Sequence, residues 1–89
     1  MEERYLEVTF RKGKPFAAYL YLPRATGVRS ARTESFGGGL ILDYGPDGTA
    51  IGLEITAPGH VSLDEINEVL DRAGQPHLTP EELAPLAAA

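Results

Sequence analysis

With 89 residues, 43% of them hydrophobic, the chain can build a single domain around one core, burying roughly 60–65% of its unfolded surface. It holds no cysteine and opens on Met1-Glu2-Glu3-Arg4 rather than on a basic and then apolar signal segment, and no apolar run nears the ~20 residues of a membrane span; disulfides, thiolate chemistry and a membrane partner are not expected, and a reducing cytoplasm is the expected location. The net charge of −5 divides into +3 over residues 1–42 and −8 over residues 43–89, so the acidic half is expected to lie beside the basic strands and neutralise them, which argues against a nucleic-acid partner.

Residues 5–10 alternate, with Leu6, Val8 and Phe10 on one side and Tyr5, Glu7 and Thr9 on the other, the period of a half-buried strand. Arg11-Lys12-Gly13-Lys14 is a polar turn, and Pro15 is tolerable only at the start of the strand that follows. In that second strand Phe16, Ala18, Leu20 and Leu22 share one face and Ala17, Tyr19 and Tyr21 the other, and Pro23 ends it. After a loop, residues 28–36 mix Val, Thr, Phe, Ser and Arg. They predict a third strand at a sheet edge, where charged side chains discourage pairing with other molecules. Gly37-Gly38-Gly39 is a hinge, since no Gly-Lys-Ser/Thr follows to make a phosphate loop.

Residues 39–55 predict a β-hairpin around Gly45-Pro46-Asp47-Gly48, with Pro46 presetting φ at the first corner and Gly48 supplying a positive φ at the last. A three-residue Pro46-Asp47-Gly48 loop with a bulge pairs Tyr44 with Ala50 and sets Leu40 against Glu54. A four-residue loop pairs Tyr44 with Thr49, Leu42 with Ile51 and Leu40 with Leu53. The second is preferred, because it gathers Leu40, Leu42, Ile51, Leu53 and Ile55 on one face. Ile41, Asp43, Gly52 and Glu54 then face the other way.

Thr56-Ala57-Pro58-Gly59 breaks the strand. Ser62 and Glu65 have capping-box spacing, Val61 and Ile66 sit at the staple positions, and Leu63, Ile66, Val69, Leu70 and Ala73 form one stripe at helical period. Gly74 and Pro76 supply the stop, so a helix over residues 63–73 follows. Thr79-Pro80-Glu81-Glu82 repeats the capping logic, with Leu78 and Leu83 as its staple, for a short helix at about residues 80–84. Pro85 limits it, and residues 86–89 are expected to fray.

Leu42-Asp43-Tyr44, Asp47-Gly48, Ile51-Gly52-Leu53-Glu54-Ile55 and Ala57 together resemble the signature of the prokaryotic family of unknown function numbered 2283: an apolar residue, Asp, an aromatic or apolar residue, a polar turn ending in Gly, then apolar-Gly-apolar-Glu-Ile. Ala17 to Leu22 resembles that family's earlier strand, although Phe16 stands where the family tends to carry an acid. The likeness covers roughly residues 5–58. It implies a small antiparallel sheet domain without an established activity, and an antitoxin-like role by analogy with relatives thought to be encoded beside toxin-like genes.

Candidate chemistry is sparse. His60 and His77 flank the first helix without HxxxH or HxH spacing, so a metal site joining them to Asp43 or Glu54 is not expected. No cofactor fingerprint is present. Asp43 and Glu54 share a face without lying directly opposite, and acids within apolar strands need solvent or a partner. The expected partners are turn amides for Asp43 and a third-strand Arg for Glu54, while a general acid/base pair would lack a nucleophile. Tyr19 and Tyr21, on the face away from the core, suit an interface.

The expected fold is α+β, an antiparallel meander of four or five strands over residues 5–56 with the 63–73 helix across one face. That helix, about 16 Å long, would cover about half of an inner face about 19 Å wide. A homodimer burying the remainder, or joining through Tyr19 and Tyr21, is therefore expected. The expected function is a non-enzymatic binding or self-association module, with a protein partner such as a toxin. The rival is a small enzyme or ligand-binding domain using Asp43, Glu54 and a histidine.

Overall fold

Two consecutive positive φ values, at Lys12 (53°) and Gly13 (79°), close the first hairpin. Arg11 lies opposite Lys14 across this two-residue turn, a mirror-type geometry whose twist matches that of antiparallel strands. The computed structural model describes residues 3–87, with β1 (Tyr5–Arg11) and β2 (Lys14–Tyr21) flanking this turn. Three further strands complete the sheet: β3 (Arg32–Phe36), β4 (Leu40–Tyr44) and β5 (Ala50–Ile55). The order is β1-β2-β5-β4-β3, with every pair antiparallel.

The expected single meander is broken once. Residues 22–31 carry the chain from β2 to the far edge, and β3, β4 and β5 then return as a meander that closes against β2. The apolar strands thereby take the middle: Leu20 pairs with Leu53 and Ala18 with Ile55. The polar β3 is left at an edge, as its charges require, but it starts at Arg32. Val28 remains in the loop, close to Gly45.

The β4–β5 turn corrects the preferred four-residue loop. The Gly48 amide donates to the Gly45 carbonyl (3.0 Å), the Gly45 amide donates to Thr49 (2.9 Å), and Tyr44 pairs with Ala50. The loop is thus Pro46-Asp47-Gly48, with Gly48 at φ 85°. Leu40 nonetheless avoids Glu54, because the register shifts by one residue at Ile51: Asp43 pairs with Gly52, Leu42 with Leu53 and Leu40 with Ile55. The extra residue at Ile51 restores the apolar face that the three-residue loop alone would scatter. Ala50 joins the core in place of Ile51, which is buried outside it.

Helix α1 (Leu63–Arg72) carries the full capping box: the Glu65 amide donates to the Ser62 hydroxyl and the Ser62 amide to the Glu65 carboxylate. Its end is tied by Gln75 N–H to Leu70 (2.9 Å) and Gly74 N–H to Asp71 (3.1 Å), with Gly74 at φ 70°. Helix α2 (Pro80–Ala87) has the reciprocal Thr79 and Glu82 bonds but runs past Pro85. Leu83 and Leu86 pack against the core, and that burial outweighs the backbone bond Pro85 cannot make. Of the tail expected to fray, residues 86 and 87 are helical, and Ala88 and Ala89 lie outside the described residues.

Both helices pack on one side of the sheet. Ala18, Leu20, Leu22, Leu40, Leu42, Leu53 and Ile55 are buried there with Ile66, Val69, Leu70 and Leu78. Most of the inner face is therefore covered within one chain, beyond the expected half coverage, because the α1–α2 loop and α2 add Leu78, Leu83 and Leu86, while the end that carries Phe10 and Phe16 stays open. Two anchors hold that second layer. Asn67 exchanges side-chain hydrogen bonds with both backbone groups of Leu78 (2.7 and 3.2 Å), and Arg4 donates to the Glu82 carboxylate (3.1 Å) and to the carbonyls of Pro76 and His77. The Arg4–Glu82 contact is also an ion pair, joining the segment before β1 to α2.

Phe10 and Phe16, expected inside, are 54% and 52% exposed. The β1–β2 hairpin outruns β5, whose pairing with β2 reaches only Ala18. Phe16 is also the extra residue of a second bulge, where Thr9 faces Ala17 and Phe10 faces Pro15. Leu70 is fully buried under the sheet. Leu70→Ala should cost about 2–5 kcal/mol, seen as a lower urea midpoint at an unchanged m-value.

Candidate functional site

Among the described residues the other side of the sheet carries no helix, and strand register lays its residues out in rows. One row runs Tyr5, Tyr21, Gly52, Asp43, Thr33, and the next runs Glu7, Tyr19, Glu54, Ile41, Ser35. Tyr19 does not stand upright in its row. Its ring crosses Gly52, and its hydroxyl donates to Asp43 Oδ2 at 2.6 Å. A Cβ built on Gly52 would lie 1.8 Å from that hydroxyl, so glycine is the residue that lets the phenol reach Asp43.

The neighbouring rings extend this contact. Tyr21 meets Tyr19 edge-on with centroids 4.7 Å apart, and Tyr5 stacks on Tyr21 at 4.6 Å. The Tyr21 hydroxyl donates to Glu7 (3.2 Å), and the Arg24 guanidinium lies 5.3 Å from the Tyr21 centroid while donating to the Ile51 carbonyl. Burial, then the hydrogen bond and charge of Asp43, push the Tyr19 phenol well above the usual tyrosine range. Glu7, chiefly through its charge, raises Tyr21. Both phenols are thus protonated donors at neutral pH.

The sequence-predicted residues divide. Tyr19, Tyr21, Asp43 and Glu54 share this open face, with Asp43 and Glu54 diagonal rather than opposite. Asp43 accepts from Tyr19 and not from turn amides. That task falls to Asp47, which takes the Thr49 amide at 2.9 Å and is held below the usual carboxylate range by it. The expected arginine partner of Glu54 is elsewhere, because Arg32 pairs across from Tyr44 on the helix side and lies 3.9 Å from the Tyr44 ring centroid. His77 is bonded to Asp71 at 2.7 Å and His60 ends a short 3-10 turn, so neither joins Asp43 or Glu54. Among the described residues no group of three or more His, Cys, Asp or Glu could hold a metal. Sequence reasoning missed Tyr5 and the Tyr19–Gly52–Asp43 crossing. A glycine inside an otherwise apolar strand was its one visible signal.

The array offers aromatic surface with fixed polar tips and acidic neighbours. No family model, no curated protein and no solved structure matches the chain.

Gly52→Ala should destabilise by about 1–3 kcal/mol, as overpacking does, and the cost should shrink in a Tyr19→Ala background because the clash partner is gone. A raised phenol contributes stability that is complete below its unfolded value of 10.0 and lost as pH rises through the folded value. Alkaline titration should therefore destabilise the chain, with a shallower slope for Tyr19→Phe in pH-dependent urea melts.

Proposed function

We propose that the chain is a cytoplasmic, non-enzymatic binding module that engages a protein partner through the tyrosine face. The observation that carries this reading is the ordering of Tyr5, Tyr21 and Tyr19 on an uncovered sheet face by ring contacts and by carboxylates. Rings already held in place lose little freedom on binding, so their contact area converts well into affinity. Glu7 and Glu54 beside them favour a partner surface rich in Lys or Arg. The resemblance to family 2283 supports an antitoxin-like role, with a toxin as that partner. The enzymatic rival is less well supported, since Asp43 is bonded to Tyr19 and both histidines lie away from it.

Affinity capture from the native cytoplasm tests the reading. A partner held by the wild-type chain should bind at least tenfold more weakly to a Tyr5→Ser, Tyr21→Ser variant, as truncation of interface tyrosines does, with circular dichroism unchanged. Equal retention by that variant would move the interface off this face.

A further inference from the structure

The apolar surface left uncovered is concentrated on β1, and so is a row of unpaired backbone groups. Outward from the Lys12-Gly13 turn, hydrogen-bonded pairs alternate with non-bonded ones. Arg11 with Lys14 is bonded, and Phe10 with Pro15, Val8 with Ala18 and Leu6 with Leu20 are not. Pro15, which has no N–H, fits its non-bonded place. The same alternation turns Leu22 toward β5, where its amide meets the Ile51 carbonyl at 3.1 Å. The N–H and C=O groups of Leu6, Val8 and Phe10 therefore point away from β2. Among the described residues no backbone hydrogen bond joins them to another element.

We propose that a second copy of this chain pairs with β1, antiparallel, about a twofold axis at Val8. One register satisfies every outward group: Leu6 against Phe10 of the partner subunit, Val8 against the partner's Val8, and Phe10 against the partner's Leu6. That gives about six interchain hydrogen bonds. A slip of two residues in either direction loses about a third of them. In one direction it also sets Glu7 against the partner's Glu7, and in the other it moves Phe10 away from Leu6.

The side chains are self-complementary in the same register. By strand alternation Leu6, Val8 and Phe10 point to the helix side. There a cleft of about 260 Å³ opens beside Leu6, floored by Leu20, Leu78 and Pro85 with Arg4 and Glu82 at its rim. The partner's Phe10 falls at its mouth, so the ring that one chain leaves 54% exposed gains a seat twice over. On the other side of the sheet Tyr5 faces the partner's Arg11, and Glu7 faces the partner's Thr9. No like charges meet. β1 is also the longer of the two edges, seven residues without proline or lysine against five in β3. The buried area is on the order of 1,000 Å², at the low end for a specific interface, so the dimer should dissociate on dilution. Pairing sets the two tyrosine faces side by side on one continuous sheet. That last consequence rests on the proposed function, and the pairing itself does not.

Light scattering on a sizing column, from low micromolar to high micromolar chain, should show a rise from 9.6 kDa to twice that mass. Phe10→Lys should weaken association at least tenfold while leaving the melting of the dilute chain unchanged, and Tyr21→Ser should leave association intact. The absence of native cysteine permits a test of register. Glu7→Cys and Thr9→Cys chains, mixed and oxidised, should form a disulfide-linked heterodimer, while each variant alone stays uncrosslinked. A mass of 9.6 kDa throughout overturns the proposal. So does a dimer indifferent to Phe10→Lys, or one in which the mixed cysteines fail to join. Loss of association in Tyr21→Ser would transfer the dimer to the tyrosine face.

Discussion

β5 must be paired on both edges although it comes last of the strands in chain order, and the architecture follows from that constraint. Its inner residues Leu53 and Ile55 are fully buried, so it cannot stay at an edge without exposing the centre of the core. Placing it between β2 and β4 satisfies its backbone on both sides and sends β3 outward. The bulge at Ile51 is the local accommodation. A three-residue loop is the tighter closure of the Pro46-Asp47-Gly48 turn, and one extra residue in β5 returns Leu53 and Ile55 to the inner side.

The same strand organises the open face. Gly52 leaves a gap in the middle of the sheet, and Tyr19 from the neighbouring strand fills it and reaches Asp43 one strand further on. Covering a strand glycine with a cross-strand aromatic recovers packing that glycine forfeits. It also keeps Asp43 hydrogen-bonded inside an apolar strand, which is what allows an acid to sit there. The tyrosine cluster is therefore a structural device. Tyr19 fills the gap, and Tyr21 and Tyr5 continue the ring contacts outward from it.

Much of the helical layer was legible in the sequence. Ser62 with Glu65, Thr79 with Glu82, and Gly74 after the apolar stripe are local signals whose partners lie within a turn, and each forms the contact its spacing implies. The extent of α2 was not legible. Pro85 weakens the helix locally, but Leu83 and Leu86 are held by a core that sequence spacing does not display. The Phe10 and Phe16 readings failed for a related reason: alternation says which side a residue takes, not whether anything lies opposite it. Of the candidate site, Tyr19, Tyr21, Asp43 and Glu54 were placed correctly on one face by period-two reasoning alone. Their connections were not, because a bond from β2 to β4 across β5 requires a strand order that short-connection rules do not supply.

The sequence by itself determined what depends on near neighbours in the chain: the strand and helix periods, the caps, the positive φ at Gly48 and the α+β class. These are decided within a few residues by sterics and by backbone hydrogen bonding. The tertiary structure alone decided which strands meet, where the bulges fall, how much of the inner face is covered, and that Tyr19 lies across Gly52 to Asp43. Those outcomes turn on side chains far apart in sequence competing for one core and one sheet, and no local pattern encodes the winner.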